Sequence, residues 1–222
     1  MFDPLSFLMG SKAAGGGGGG GKPVLPTGYK LLDSVIAYKQ GIATGIVPDE
    51  TTIVEGLLNS ASYNEGTIAR SYPNGDYRVK AYTSSTSSSC RIFGYYGSSS
   101  SKTIYPGGTY YRNFYFCYGA NALLVNDKSE ELNPAPTSTN QIYLFVDSDN
   151  INPTSGNSYF YGNVFRLRIK KNGEVVRDYI PALRESDNAA GLYDMVEQSF
   201  HTSTAETGWF VAGAVIPDWW EE

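Results

Sequence analysis

His201 is the only histidine in this 222-residue chain, so any Ser-His-Asp or Cys-His device would have to be built around it. It sits in "EQSFHTST", and an edge or packing role is expected of it rather than work as a general base. Retaining glycoside hydrolysis needs two carboxylates about 5 Å apart, typically projected by an acidic strand. No E-x-D-x-E alternation occurs: Glu130-Glu131 lies in a polar stretch read as a loop, and Glu221-Glu222 closes the sequence. The reading is therefore that the chain is not an enzyme.

Two other chemistries have candidate residues. "DSDNIN" spaces Asp147, Asp149 and Asn152 as hard oxygen ligands of the kind Ca²⁺ takes. Ile151 occupies a ligand position of an EF-hand loop and the required glycine is missing, so the alternative is a polar loop after a central strand. Calcium is the one cofactor with candidate ligands. Carbohydrate binding would use aromatic faces on which sugars stack, with polar neighbours fixing the hydroxyls. Tyr95, Tyr96, Tyr110, Tyr111, Trp219 and Trp220 are the candidates. The alternative is that the tyrosines pack in a core, and that Trp219-Trp220 is a self-association or docking contact.

These residues need a scaffold, and the composition indicates which. Tyr (18) and Phe (10) are abundant while charged residues make up only 18%; aromatic side chains suit pleated, half-buried surfaces. "NVFRLRIKKNGEVVRDYI" alternates Phe165, Leu167 and Ile169 with Arg166, Arg168 and Lys170, one buried face and one wet face. Asn172-Gly173 then supplies the positive φ angles of a tight hairpin turn. "QIYLFV" (141–146) is apolar on both faces, as a central strand is. "YYRNFYFCYG" (110–119) is equally strand-like, and "GLYD" (191–194) reads as a short strand or turn. The serine tracts 84–89 and 97–102 flank "CRIFGYY" as hairpin tips. Helix signals are scarce, and close punctuation by Gly, Pro, Asn and Ser completes a sandwich or jelly-roll pattern.

The net charge of −5 and pI of about 5.0 exclude nucleic acid as a partner, since binding it requires basic patches. No stretch reaches the ~20 apolar residues of a membrane helix. Cys90 and Cys117 could form one bridge or remain two buried thiols. The organisation has three zones: an apolar peptide (1–10), a linker (11–27) with seven glycines at 15–21, and a strand-rich domain (28–222). The opening peptide carries Asp3 and no basic region, which makes it a poor signal peptide. Polyglycine is a flexible tether. It would separate a docking peptide (Phe2, Leu5, Phe7, Leu8 and Met9) from an outward-facing head.

The segment from "RLRIKKNGEVVRDYIP" through "GLYD" (191–194), Phe200-His201 and Gly208-Trp209-Phe210 resembles the closing part of a family of concanavalin A-like (laminin-G-like) jelly rolls. That family is abundant in phages and prophages of gut bacteria and includes glucanases. Its opening is similar to 28–52, where Asp33-Ser34 and "TGI" are kept and the aromatic and Gln-Tyr positions are altered. "MFDPLSFLMGSKAAGGGGGG" is similar to the N-termini of small phage virion proteins. The resemblance implies an all-β, concanavalin A-like jelly-roll β-sandwich with an extended N-terminal anchor and glycine linker. It implies a virion appendage, tail or head fibre, held to other virion proteins through residues 1–22. Such a protein would be a homo-oligomer, trimer favoured, attaching to a host-surface glycan without membrane insertion. Within the closing segment, Pro181 is expected to end its strand, Gly191 to form a corner, and Arg177-Asp178 to pair with neighbours or backbone. A purely structural capsid decoration is the alternative, and a glycan-active enzyme comes third.

Overall fold

The computed structural model describes residues 23–60, 66–71, 77–83, 90–97, 101–106, 113–132, 138–147, 151, 159–203 and 208–216. Among them every regular element is a strand, and no helix is long and apolar enough to cross a membrane. The anchor peptide and glycine run, Tyr110, Tyr111, Asp149, Asn152, Trp219 and Trp220 lie outside the described residues.

In chain order the strands are β1 (Tyr29–Leu31), β2 (Val35–Tyr38), β3 (Ile42–Ala43), β4 (Ile53–Ser60), β5 (Gly66–Ser71) and β6 (Tyr77–Thr83). Then come β7 (Cys90–Tyr96), β8 (Ser101–Ile104), β9 (Phe114–Gly119), β10 (Ala122–Val125), β11 (Lys128–Glu131) and β12 (Ile142–Leu144). The chain finishes with β13 (Tyr161–Lys171), β14 (Glu174–Arg184), β15 (Ala189–Asp194), β16 (Ser199–Thr202) and β17 (Trp209–Ala212). The larger sheet runs β11-β10-β9-β4-β13-β14-β15-β16; β2 joins β13 and β17, and β1 joins β14. The smaller runs β3-β12-β5-β6-β7-β8. One apolar core lies between them, contributed from the larger sheet by residues such as Val54, Phe116, Leu167 and Ile169, and from the smaller by Val79, Ile92 and Leu144. Glu130-Glu131, read as loop, ends the exposed edge strand β11.

The β13–β14 hairpin forms as its sequence predicts, with φ of 53° at Asn172 and 80° at Gly173. Its phase differs in one respect. The register against β4 shifts between Val164 and Arg166, so Phe165 leaves the core and packs with Leu57, Tyr115 and Cys117 on the outer face. Arg166 and Arg168, expected to be wet, are 4% and 3% exposed. Arg166 donates to both Asp178 carboxylate oxygens (2.8 and 2.6 Å), Arg168 donates to the same carboxylate (3.3 Å), and Glu55 pairs with Lys170 (2.8 Å). Charges can be buried here because each meets an opposite charge.

Three further expectations about the closing segment resolve. Pro181 does not end β14. It falls where β14 exchanges β13 for β1, its carbonyl accepting from Leu32 N (3.1 Å), so its missing N–H costs no ladder bond. Gly191 is not a corner but a mid-strand position, where a Cβ would lie 2.2 Å from the His201 carbonyl oxygen. Arg177 and Asp178 do find partners, on opposite faces. Asp178 turns outward to the arginines of β13, while Arg177 crosses to the smaller sheet and donates to the Thr44 carbonyl from Nε (3.0 Å) and Nη2 (2.7 Å).

The other cross-sheet tie is Tyr118 of β9. Its ring lies over Gly94 of β7, where a Cβ would come within 2.6 Å of it. Its hydroxyl donates to the Tyr95 carbonyl and accepts from Arg78 N (3.0 Å). Tyr77 and Tyr96 pack on the same ring, with centroids 4.8 and 5.9 Å away. Gly94→Ala should therefore cost about 1–3 kcal/mol by overpacking. Chemical denaturation of the variant checks this; an unchanged midpoint would mean that Tyr118 does not need the gap.

Candidate functional site

The smaller sheet's outer face gathers residues that the sequence left apart. In "YRVKAY", Tyr77, Val79 and Ala81 are fully buried, so Arg78, Lys80 and Tyr82 point the other way. The ladder sets Arg70 of β5 beside Arg78 and Arg78 beside Tyr95. One row along, Thr67, Lys80 and Phe93 align, and beyond them Tyr82 faces Arg91. The Arg78 guanidinium lies 4.0 Å from the Tyr95 ring centroid, and that of Arg91 lies 4.3 Å from Tyr82 and 5.7 Å from Phe93. Tyr95 is thus half-buried beneath an arginine. Tyr96, the next residue, is 1% exposed in the core, so it offers no face to a sugar.

Asp147 follows β12 onto this face, and its surroundings differ from those of a calcium ligand. Arg70 Nη1 binds one carboxylate oxygen and Lys80 Nζ the other (3.1 Å). Although burial works against its charge, these two cations hold the carboxyl below the ordinary aspartate value. A carboxylate occupied by two cations is a poor start for a cation site. No cluster of three or more metal-ligating side chains occurs among the described residues.

The exposed aromatic row lies elsewhere, on residues not singled out as ligand contacts. Register places Tyr161 of β13, Tyr38 of β2 and Trp209 of β17 side by side. Val35 and Ala37 of β2 are buried, so Tyr38 belongs to the larger sheet's outer face. Tyr38 sits 4.7 Å from Trp209 and 5.3 Å from both Tyr161 and Tyr159, between ring centroids. Lys39 Nζ lies 5.4 Å from the Tyr38 and Tyr159 centroids. Trp209 is 44% and Tyr161 37% exposed. In the adjacent row Asn163 faces Asn59, whose amide donates to Asn113 (3.1 Å). Rings beside carboxamides suit the apolar faces and hydroxyls of a saccharide. The period-two pattern of "VIAY" could have revealed Tyr38; its pairing with distant Trp209 could not be read from sequence.

The nucleophile candidates are held in inert settings. Burial pushes both thiols, Cys90 and Cys117, up to about 11, so both stay protonated at neutral pH; neither is in a disulfide. His201 Nε2 lies 3.1 Å from Ser199 Oγ, and its ring packs edge-on to Tyr179. Burial holds this imidazole below its ordinary value. The nearby carboxylate of Asp194 is engaged by the backbone N–H groups of Asp178 and Val196 and by Arg177. The serine–histidine contact therefore lacks the orienting acid of a triad, and His201 has the packing role expected of it.

No family model matches the chain, and no curated protein matches it. Solved structures do resemble it. One is the "native heptameric SAP-like pentraxin from Limulus polyphemus", with a TM-score of 0.50 and 12% identity, covering 84% of this chain and 94% of that one. Another is a "putative carbohydrate binding protein from Bacteroides ovatus", with a TM-score of 0.53 and 11% identity, covering 89% of this chain and 63% of that one. The fold is thus an all-β, lectin-like jelly-roll sandwich, as the sequence pattern and the family resemblance implied.

Asp147→Asn would leave the nearly buried Lys80 and its neighbour Arg70 without their shared anion. We expect a loss of about 2–4 kcal/mol at neutral pH. Because the folded carboxyl titrates below 3.8, its contribution is complete above that pH and vanishes as the pH falls through its own lower value. Urea titrations from neutral to acid pH check both points; the variant and parent curves should converge at the acid end.

Proposed function

We propose that this protein is a phage virion appendage, a tail or head fibre of the receptor-binding type, whose jelly roll attaches to host-surface glycans. The observation that carries the glycan reading is the exposed row Tyr161–Tyr38–Trp209, flanked by Asn163 and Asn59. Tyr161 and Trp209 are exposed on either side of the partly buried Tyr38. The lectin-like fold supports the same reading, and one fold neighbour carries carbohydrate binding in its name. Virion placement rests on the sequence alone: the apolar peptide at 1–10, the glycine tether and the phage-type resemblance. Several copies on one particle would turn weak sugar contacts into firm adhesion, and one fold neighbour is described as heptameric.

A capsid decoration without a ligand is the second reading. It is favoured by Val211, 42% exposed beside Trp209 on the edge strand β17, which would suit a contact between copies. A glycan-active enzyme is third, as no triad is complete among the described residues.

The full chain on a glycan array should bind a restricted set of saccharides, and Trp209→Ala should weaken that binding at least about tenfold. Folding stability of the variant should change by about 1 kcal/mol or less, since the ring is largely outside the core. Binding that is absent, together with a Trp209→Ala chain that loses its oligomeric state, would favour the decoration reading. Deleting residues 1–10 should leave a folded head that no longer incorporates into particles; normal incorporation would remove the anchor role.

A further inference from the structure

Among the described residues, the smaller sheet's outer face carries more cations than carboxylates. On β5 to β7 it presents Arg70, Arg78, Lys80 and Arg91, with Asp147 the carboxylate paired to this group among the described residues, in a chain of net charge −5. Asp147 is committed to Arg70 and Lys80, while Arg78 and Arg91 have no ion pair among the described residues. Their Nε atoms are buried without a hydrogen-bond partner, as is the Thr67 hydroxyl between them along the face. Each guanidinium instead lies over an aromatic ring, Arg78 over Tyr95 and Arg91 over Tyr82. Stacking fixes the plane of a guanidinium and leaves its edge donors free to receive an oxyanion in bidentate fashion.

The spacing limits the ligand. Arg78 and Arg91 belong to rows separated by the Lys80–Phe93 row, so along the strands they stand about 13 Å apart at ~3.3 Å per residue. One phosphate or carboxylate held in a fork by one guanidinium leaves the other unfilled. A chain bearing an anionic group on successive or alternate sugar units fills both.

We infer that the outer face of the smaller sheet is a second binding surface, specific for an acidic polysaccharide whose anionic groups engage Arg78 and Arg91. It is separate from the Tyr161–Tyr38–Trp209 row and does not depend on it. Charge complementarity, preset arginine planes and unfilled buried donors all converge on the same face.

The test uses the full chain with polygalacturonate (carboxylate), dextran sulfate (sulfate) and unmodified dextran in a binding titration. The parent should bind one or both polyanions and not dextran, with affinity falling steeply between about 50 and about 500 mM salt. Arg78→Gln/Arg91→Gln should weaken binding at least about tenfold, with near-parental thermal unfolding. Arg78→Lys/Arg91→Lys keeps the charge but loses the flat fork, and should recover only part of the affinity. Trp209→Ala should leave polyanion binding unchanged, which separates this surface from the one proposed for attachment. Equal binding of dextran, or parental affinity in the Gln double variant, would overturn the proposal. Loss of polyanion binding in Trp209→Ala with the Gln variant intact would assign the ligand to the other face.

Discussion

One constraint governs where every side chain goes: two antiparallel sheets share a single core, so each strand sends alternate residues inward. A strand obeys this parity until a bulge resets it. β6 obeys it throughout, which is why the same short strand contributes Tyr77, Val79 and Ala81 to the interior and Arg78, Lys80 and Tyr82 to the opposite face. β13 breaks it once, at Phe165, and that break creates the small outer cluster with Leu57 and Tyr115. Cross-sheet ties then pin the layers together. Tyr118 reaches through the gap at Gly94, and Arg177 reaches the Thr44 carbonyl.

Much of this was legible in the sequence because parity is a local property. The β13–β14 hairpin needed only the alternation and the Asn172-Gly173 turn. The strand at 189–194 needed only "GLYD". What escaped is what depends on a neighbour distant in sequence. A register shift at Phe165 is a relation between β13 and β4, more than a hundred positions apart, and nothing within either strand announces it. The same holds for Arg166 and Arg168, whose burial depends on the carboxylates of Asp178 and Glu55. Alternation marked them as outward-facing, which is right; it could not say that outward positions would be closed over by their own counter-ions. The ring row of Tyr161, Tyr38 and Trp209 joins three strands, so no single window of sequence contains it.

The two outer faces handle charge differently, and the contrast is informative. On the larger sheet, Arg166, Arg168 and Lys170 are met by Asp178 and Glu55, with the Tyr115 hydroxyl donating to Glu55 (3.1 Å). Such a network is close to neutral and is best understood as structural. The tyrosine hydroxyl beside a carboxylate, itself buried, is held well above its ordinary ionisation range and stays a donor. On the smaller sheet, Arg78 and Arg91 have no ion pair among the described residues and lie over ring faces instead. A ring offers a guanidinium attraction without neutralising it.

Geometry restricts how these surfaces can be used together. The aromatic row belongs to the outer face of one sheet and the arginine pair to the outer face of the other, and sheets packed about 10 Å apart turn these faces in opposite directions. A single flat surface cannot meet both on one copy. Either the two serve different ligands, or one long chain must pass around the sandwich edge. Neutral stacking on Trp209 would be insensitive to salt, whereas the proposed recognition by Arg78 and Arg91 would weaken as ions screen it. Two surfaces of opposite orientation and different salt response are hard to reconcile with one undivided receptor site. The proposed attachment row and the proposed polyanion face would therefore be engaged independently on one copy.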